Sequence, residues 1–179
     1  MAGCPLGSQA STAIINFEGE LVNASCRVEA VGEASGEGLH MAIDFGTVAF
    51  ADLRPPATWV PGHGKNFILR ITCPGAMPGI TRAKVTLEAA SGSGLDLDEP
   101  SLLALSADSQ ARGAGIGLWS PADAIALDLS TRPVLSGLFS RIGDESIAKI
   151  VLAALYSRTS ALAVGGSANA ALPVTLSYE

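Results

Sequence analysis

Over residues 172–178, Leu172, Val174, Leu176 and Tyr178 fall on one side of an extended chain and Pro173, Thr175 and Ser177 on the other. This is the two-residue period of a half-buried strand, so the chain is expected to end inside a sheet. An apolar strand edge left open invites aggregation, so this strand needs a neighbour, expected from elsewhere than the residues after Glu179. The same period recurs upstream. Ala13, Ile15, Phe17, Gly19 and Leu21 share a face if residues 11–21 are extended. Residues 26–31, 67–73 and 83–88 read as strands, and the Pro/Gly-rich residues 74–80 as a turn. Residues 144–157 are contested: Ala, Leu, Lys and an Asp-Glu start favour helix, whereas alternation of Ile150, Leu152, Ala154 and Tyr156 favours strand.

Composition tips the balance toward strands. Twenty glycines and ten prolines with only 16% charged residues suit many short strands joined by turns, an all-β chain, better than a helical bundle. At 179 residues one core suffices. A net charge of −6 and no basic run argue against a nucleic-acid surface. The mean hydropathy of +0.37 fits a large aliphatic core, or that core plus surface covered by neighbouring subunits.

Two blocks carry a resemblance to a known family. Tyr178 is penultimate, Gly166 is the fourteenth residue counted back from Glu179, and the run from Leu152 to Tyr156 is similar to an F-x-A-x-Y strand with leucine in place of phenylalanine. Ala168, Asn169 and Ala170 match a small-residue turn before the last strand. Near the start, Phe17, Gly19 and Cys26 match an F-x-G block running into a cysteine; Met41 to Val48 resembles an apolar strand with a Phe-Gly end, and Ala111 to Leu118 an A-x-G-V-G-I-x-L block. In this order and spacing the chain resembles the pilin subunits of bacterial chaperone–usher fimbriae, the type 1-like shaft family. The match to F-x-A-x-Y decides the contested segment for strand from about Ala148 onward.

The resemblance implies an incomplete immunoglobulin-like β-sandwich of six strands, residues 19–179, preceded by a donor-strand arm, residues 1–18. Ala13, Ile15, Phe17 and Gly19 would be the donor face. Gly166, Leu172, Val174, Leu176 and Tyr178 would belong to the acceptor groove, with Leu152, Ala154 and Tyr156 as its second strand. It further implies a Cys26–Cys73 disulfide, worth ~4 kcal/mol in the chain-entropy model; as a metal pair these cysteines match no zinc spacing, and His40 and His63 stand apart from them. The partners implied are other pilin subunits in a head-to-tail polymer, a periplasmic chaperone and an outer-membrane usher, with no cofactor, nucleic acid or small-molecule substrate. The implied location is the extracellular fimbrium. Two rivals remain: a minor or tip adapter binding a carbohydrate or receptor, and a self-contained secreted sandwich that buries its own first strand.

Other motifs do not build a second case. Residues 1–9 carry neither the charged start nor the apolar run of an export signal, which is expected to be absent or removed. Cys4 follows Met-Ala-Gly without the apolar segment lipidation requires and is read as a free thiol. Asp44-Phe45-Gly46 spells a kinase triplet with no companion motif, and Gly62 to Lys65 lacks the Ser or Thr of a phosphate loop. The acid-rich residues 91–100 lack the ordered spacing of a calcium loop and read as solvated. Trp119 is read as a packing residue. With no G-x-S-x-G elbow and no zinc-binding histidine pair, no enzyme activity is expected.

Overall fold

The strand from Lys65 to Pro74 alternates so that Phe67, Leu69, Ile71 and Cys73 point one way, and all four are buried. It anchors the larger of two sheets. The computed structural model describes residues 26–37, 40–59, 64–162 and 164–179. Their strands are β1 (Arg27–Gly32), β2 (Ala34–Glu37), β3 (His40–Ile43), β4 (Lys65–Pro74), β5 (Arg82–Leu87), β6 (Ala114–Ser120), β7 (Ile125–Leu127), β8 (Val134–Leu138), β9 (Ser140–Ile142), β10 (Glu145–Arg158) and β11 (Val174–Tyr178). One sheet is ordered β3-β2-β1-β4-β10-β6-β7, with β9 also on β10; the other is β11-β5-β8. The named strands pair antiparallel throughout, and the inner faces share one apolar core. This is the all-β, immunoglobulin-like sandwich expected.

The described residues hold eleven strand segments where six strands were expected. Glycines split the chain at extra turns, among them Gly32 (φ +103°) between β1 and β2 and Gly143 (φ +61°) between β9 and β10, because that backbone region is open chiefly to glycine. Likewise β3 stops at Ile43, short of the expected Val48. There the Asp44 carboxylate accepts from the Gly46 N–H at 2.8 Å, and Gly46 takes φ +62°, turning the chain out of the sheet. The contested segment is strand from Glu145, earlier than expected. Helix propensity amounts to a few tenths of a kcal/mol per residue; burying Ala148, Ile150, Leu152 and Ala154 on one face outweighs it, at ~1.5–3 kcal/mol for each large side chain.

Cys26 and Cys73 are bonded, at a sequence separation of 47, tying the start of β1 to the end of β4. The donor-face residues Ala13, Ile15, Phe17 and Gly19, the boundary at residue 18 and Cys4 lie outside the described residues. On the outer face, Glu29 of β1 sits opposite Arg70 of β4 and accepts its Nε–H at 2.5 Å. That hydrogen bond holds the Glu29 carboxyl below its ordinary range, so the pair's small contribution is present above the usual glutamate pKa and is lost as pH falls through the depressed one.

Two glycines close the sandwich. A Cβ on Gly137 would stand 2.7 Å from the Lys149 carbonyl oxygen, so β8 lies against the backbone of β10 and seals that flank. A Cβ on Gly117 would stand 1.7 Å from Cη2 of Trp59: the gap left by the glycine is filled by the indole. Trp59 Nε1 donates to Ser157 Oγ at 3.3 Å, and Ser157 Oγ donates to the Arg54 carbonyl at 2.6 Å. The buried tryptophan is therefore Trp59. Trp119 is half-buried on β6, paired with Ala153 and Ala126, and is not part of the shared core.

Reducing the Cys26–Cys73 bond is expected to lower the unfolding free energy by ~4 kcal/mol, read from urea melts with and without reductant. Gly117→Ala is expected to expel the Trp59 ring at a cost of about 1–3 kcal/mol and to shift tryptophan emission to the red, whereas Gly143→Ala, with nothing within 4 Å of its Cβ, leaves emission unchanged.

Candidate strand-accepting edge

Among the described residues, the last strand is held on one side. β11 pairs with β5 in the register Val174↔Leu87, Leu176↔Val85, Tyr178↔Ala83, and it ends the order of its sheet. Beyond the strand's ends, Glu88 N–H donates to the Pro173 carbonyl at 2.9 Å, and Arg82 and Glu179 exchange bonds of 2.8 and 3.0 Å. Hydrogen-bonded and non-bonded pairs alternate along an antiparallel ladder. Pro173, Thr175, Ser177 and Glu179 therefore face β5 with their backbone groups, while the N–H and C=O groups of Val174, Leu176 and Tyr178 point away from it. Leu87 N–H is spent in the opposite direction, on the Pro133 carbonyl at 3.0 Å, as this alternation requires. Among the described residues no strand pairs with the outer edge of β11.

The same three residues carry the apolar face. Leu176 is 4% exposed, and Leu172, Val174 and Tyr178 are half-buried against the core. Phe139 stacks on Tyr178 with ring centroids 6.3 Å apart, and burial raises the Tyr178 hydroxyl pKa above its ordinary value. On the other face, Lys84 and Glu179 form an ion pair at 2.6 Å. The edge thus offers main-chain donors and acceptors at every second residue, with apolar side chains beneath them. That arrangement is what an added strand requires.

The strand expected as the second of this groove, β10, lies in the larger sheet and does not pair with β11. β10 is central: β4 covers Glu145 to Ala154, and β6 covers Ala153 to Arg158. Leu152 is thus paired with Phe67 of β4, Tyr156 with Ile116 of β6, and Ala154 with both neighbouring strands. Leu152 and Ala154 supply core side chains instead. Tyr156 stacks on Phe45 at 4.5 Å and donates its hydroxyl to the Ala168 carbonyl; burial first, then the Asp44 charge, raises its pKa. Gly166 also lies away from β11. A Cβ there would stand 2.5 Å from Cβ of Gln110, so this glycine permits a close crossing upstream of the strand.

Residues 164–173 run from that crossing to β11 along the loop between β5 and β6. Ser93, Ser106 and Ser109 bond this segment, and sequence reasoning did not single them out. Serine in a Gly/Ser-rich loop is commonplace, and only the neighbouring Ala168, Asn169 and Ala170 turn hinted at a close backbone crossing. In the acid-rich part of this loop, Asp96 Oδ1 accepts from the Asp98 and Glu99 N–H groups, both at 3.0 Å, a local turn. Among the described residues there is no cluster of three or more metal-ligating side chains. A separate open cleft of about 460 Å³ lies between Phe45, Arg54, Trp59 and Tyr156.

Comparison with known proteins gives a broad family match and partial likenesses to solved structures. No curated protein matches the chain. Among solved structures, the crystal structure of the CupB6 tip adhesin from Pseudomonas aeruginosa matches with a TM-score of 0.43 and 18% identity, over 62% of this chain and 30% of the adhesin. The chain thus spans well under half the length of that protein. The model of the family described as fimbrial protein matches residues 15–179, nearly the whole sequence. With its immunoglobulin-like sandwich and its bonded Cys26–Cys73 pair, the chain belongs to the fimbrial protein family, the subunits of extracellular surface fimbriae.

Proposed function

We propose that this protein is a structural fimbrial subunit, without enzymatic activity, that polymerises by donor-strand exchange. The observation that carries the reading is the edge of β11, where Val174, Leu176 and Tyr178 present outward backbone groups above an apolar face. The donor is the N-terminal arm, residues 1–18, of the next subunit, with Ala13, Ile15, Phe17 and Gly19 toward the groove. A periplasmic chaperone lends a strand to the same edge first, and an outer-membrane usher receives the loaded subunit. Of these, Ile15 and Phe17 would together supply ~3–6 kcal/mol gross before ordering costs, Ala13 less, and Gly19 no side-chain burial. Because the donor and acceptor patches differ, the contact is heterologous and extends into a filament instead of closing.

A synthetic peptide of residues 11–19 is expected to slow amide hydrogen exchange at Val174, Leu176 and Tyr178 in a chain lacking its own arm. The neighbouring Thr175 and Ser177 amides, already bonded to β5, should change far less. Equal protection at both sets, or none, counts against strand addition. Val174→Asp, which places a charge under the edge, should lower peptide affinity by at least ~10-fold, as burying an unpaired charge costs several kcal/mol.

Deleting residues 1–18 is expected to leave a domain that folds with its chaperone and accepts a donor peptide, yet caps growing chains because it cannot donate. The check is filament length against the fraction of deleted subunit, with circular dichroism for folding. A deleted chain that cannot fold with chaperone and peptide present would favour a self-contained sandwich.

A further inference from the structure

We infer that Ser93 and Ser109, with the side-chain-free backbone at Gly92 and the missing N–H of Pro173, are positioning residues that set the register of β11 on β5. Its consequence for donor binding rests on the strand-accepting role proposed above; the register itself does not.

The alternation of β11 cannot choose its own register. Leu172, Val174, Leu176 and Tyr178 repeat every second residue, so a slip of one residue inverts the faces but a slip of two keeps every apolar side chain inward. The partner strand is equally permissive, since Ala83, Val85 and Leu87 are all buried and small or aliphatic. A tight hairpin would fix the pairing through its turn, but β5 and β11 are not chain neighbours. The register must be set before the strand begins.

Two serines hold the backbone there, each gripping one residue from both sides. Ser109 Oγ donates to the Asn169 carbonyl at 3.1 Å and accepts from the Asn169 N–H at 2.9 Å. Ser93 N–H donates to the Ala171 carbonyl at 2.9 Å, and Ser93 Oγ accepts from the Ala171 N–H at 2.7 Å. Ser109 is 3% exposed, so an unmade bond there has little water to replace it. Ser106 reinforces both: its N–H donates to the Asn169 carbonyl at 2.7 Å, and its hydroxyl lies 3.1 Å from that of Ser93. Beside them, a Cβ on Gly92 would stand 2.1 Å from the Ala171 carbonyl oxygen and 2.5 Å from Cδ of Pro173. The chain crosses Gly92 in contact with its backbone and has no room to shift around a side chain.

Pro173 makes the grip directional. Moving the segment two residues so that Pro173 replaces Ala171 would bring a residue with no N–H to the Ser93 hydroxyl, and that hydroxyl would lose its donor. In the native position proline costs nothing, because only its carbonyl is used, by Glu88 N–H. The register decides that Val174, Leu176 and Tyr178 sit opposite Leu87, Val85 and Ala83, and so where along the groove each donor side chain would meet its pocket.

The test is disulfide trapping of register in the full chain, in a Cys4→Ser background. Ser177→Cys with Lys84→Cys reports the native register, in which these residues are opposite each other. Ser177→Cys with Thr86→Cys, or with Arg82→Cys, reports slips of two in either direction. With native serines only the first pair should cross-link. Ser93→Ala with Ser109→Ala should raise the slipped-to-native ratio at least ~10-fold, and Pro173→Ala added to Ser109→Ala should admit the slip that moves residue 173 to Ser93. Ser93→Thr, which keeps a hydroxyl, should restore the native pair. Exclusive native cross-linking in both folded double variants overturns the inference. So does failure of the Ser93→Ala, Ser109→Ala chain to fold, if the milder Pro173→Ala, Ser109→Ala chain keeps only the native pair. A shifted cross-link with unchanged binding of the residue 11–19 peptide leaves the register assignment standing and overturns the strand-accepting role instead.

Discussion

A strand bonded on one edge leaves half its backbone without a partner on that sheet, and among the described residues that half belongs to Val174, Leu176 and Tyr178. Each buried amide or carbonyl without a partner costs about 1–3 kcal/mol, and an apolar strand cannot simply turn those groups to water without exposing its side chains as well. The rest of the structure is arranged around this edge. β5 supports it from one side, the larger sheet lies beneath its side chains, and the disulfide ties β1 to β4 where the larger sheet begins.

The two flanks of the sandwich differ for a reason visible at single glycines. On one flank Gly137 allows β8 to touch the backbone of Lys149 in β10, and the sheets meet there. On the β11 flank no described strand performs that closure. Among the described residues one flank is thus closed by a strand and the other is not, which is the condition the proposed strand addition requires. In the proposed register device, the serine grip on residues 169 and 171 limits the alternatives that the apolar repeat would tolerate.

Polar contacts join distant parts of the chain. Tyr156 reaches from β10 to the Ala168 carbonyl, Ser157 joins Trp59 to the Arg54 carbonyl, and Ser146 Oγ donates to the Gly75 carbonyl at 2.8 Å. Among the described residues no buried side-chain nitrogen or oxygen is left without a partner. Small hydroxyl side chains can make these links inside a tight crossing, as Ser93 does beside Gly92 where the connecting segment passes the loop.

Most of the architecture was legible in the amino-acid order. Two-residue alternation marked β4, β5, β10 and β11, since a strand between two layers must divide its side chains between core and exterior. Pairing of Cys26 with Cys73 followed from a family resemblance rather than from any local pattern. The order of strands was not legible. Nothing in the alternation of Ile150, Leu152, Ala154 and Tyr156 tells a central strand from one lining a groove, because both bury alternate residues; β4 and β6 taking both edges of β10 is a fact of long-range pairing. The buried tryptophan was equally hidden, since Trp59 finds its place only because Gly117, far along the chain, leaves one. Sequence by itself determined which residues face inward, through local periodicity. Tertiary structure alone decided which strands pair, which described edge is left without a described neighbour, and in what register β11 lies, because those depend on backbone groups of residues that meet only when the chain has folded.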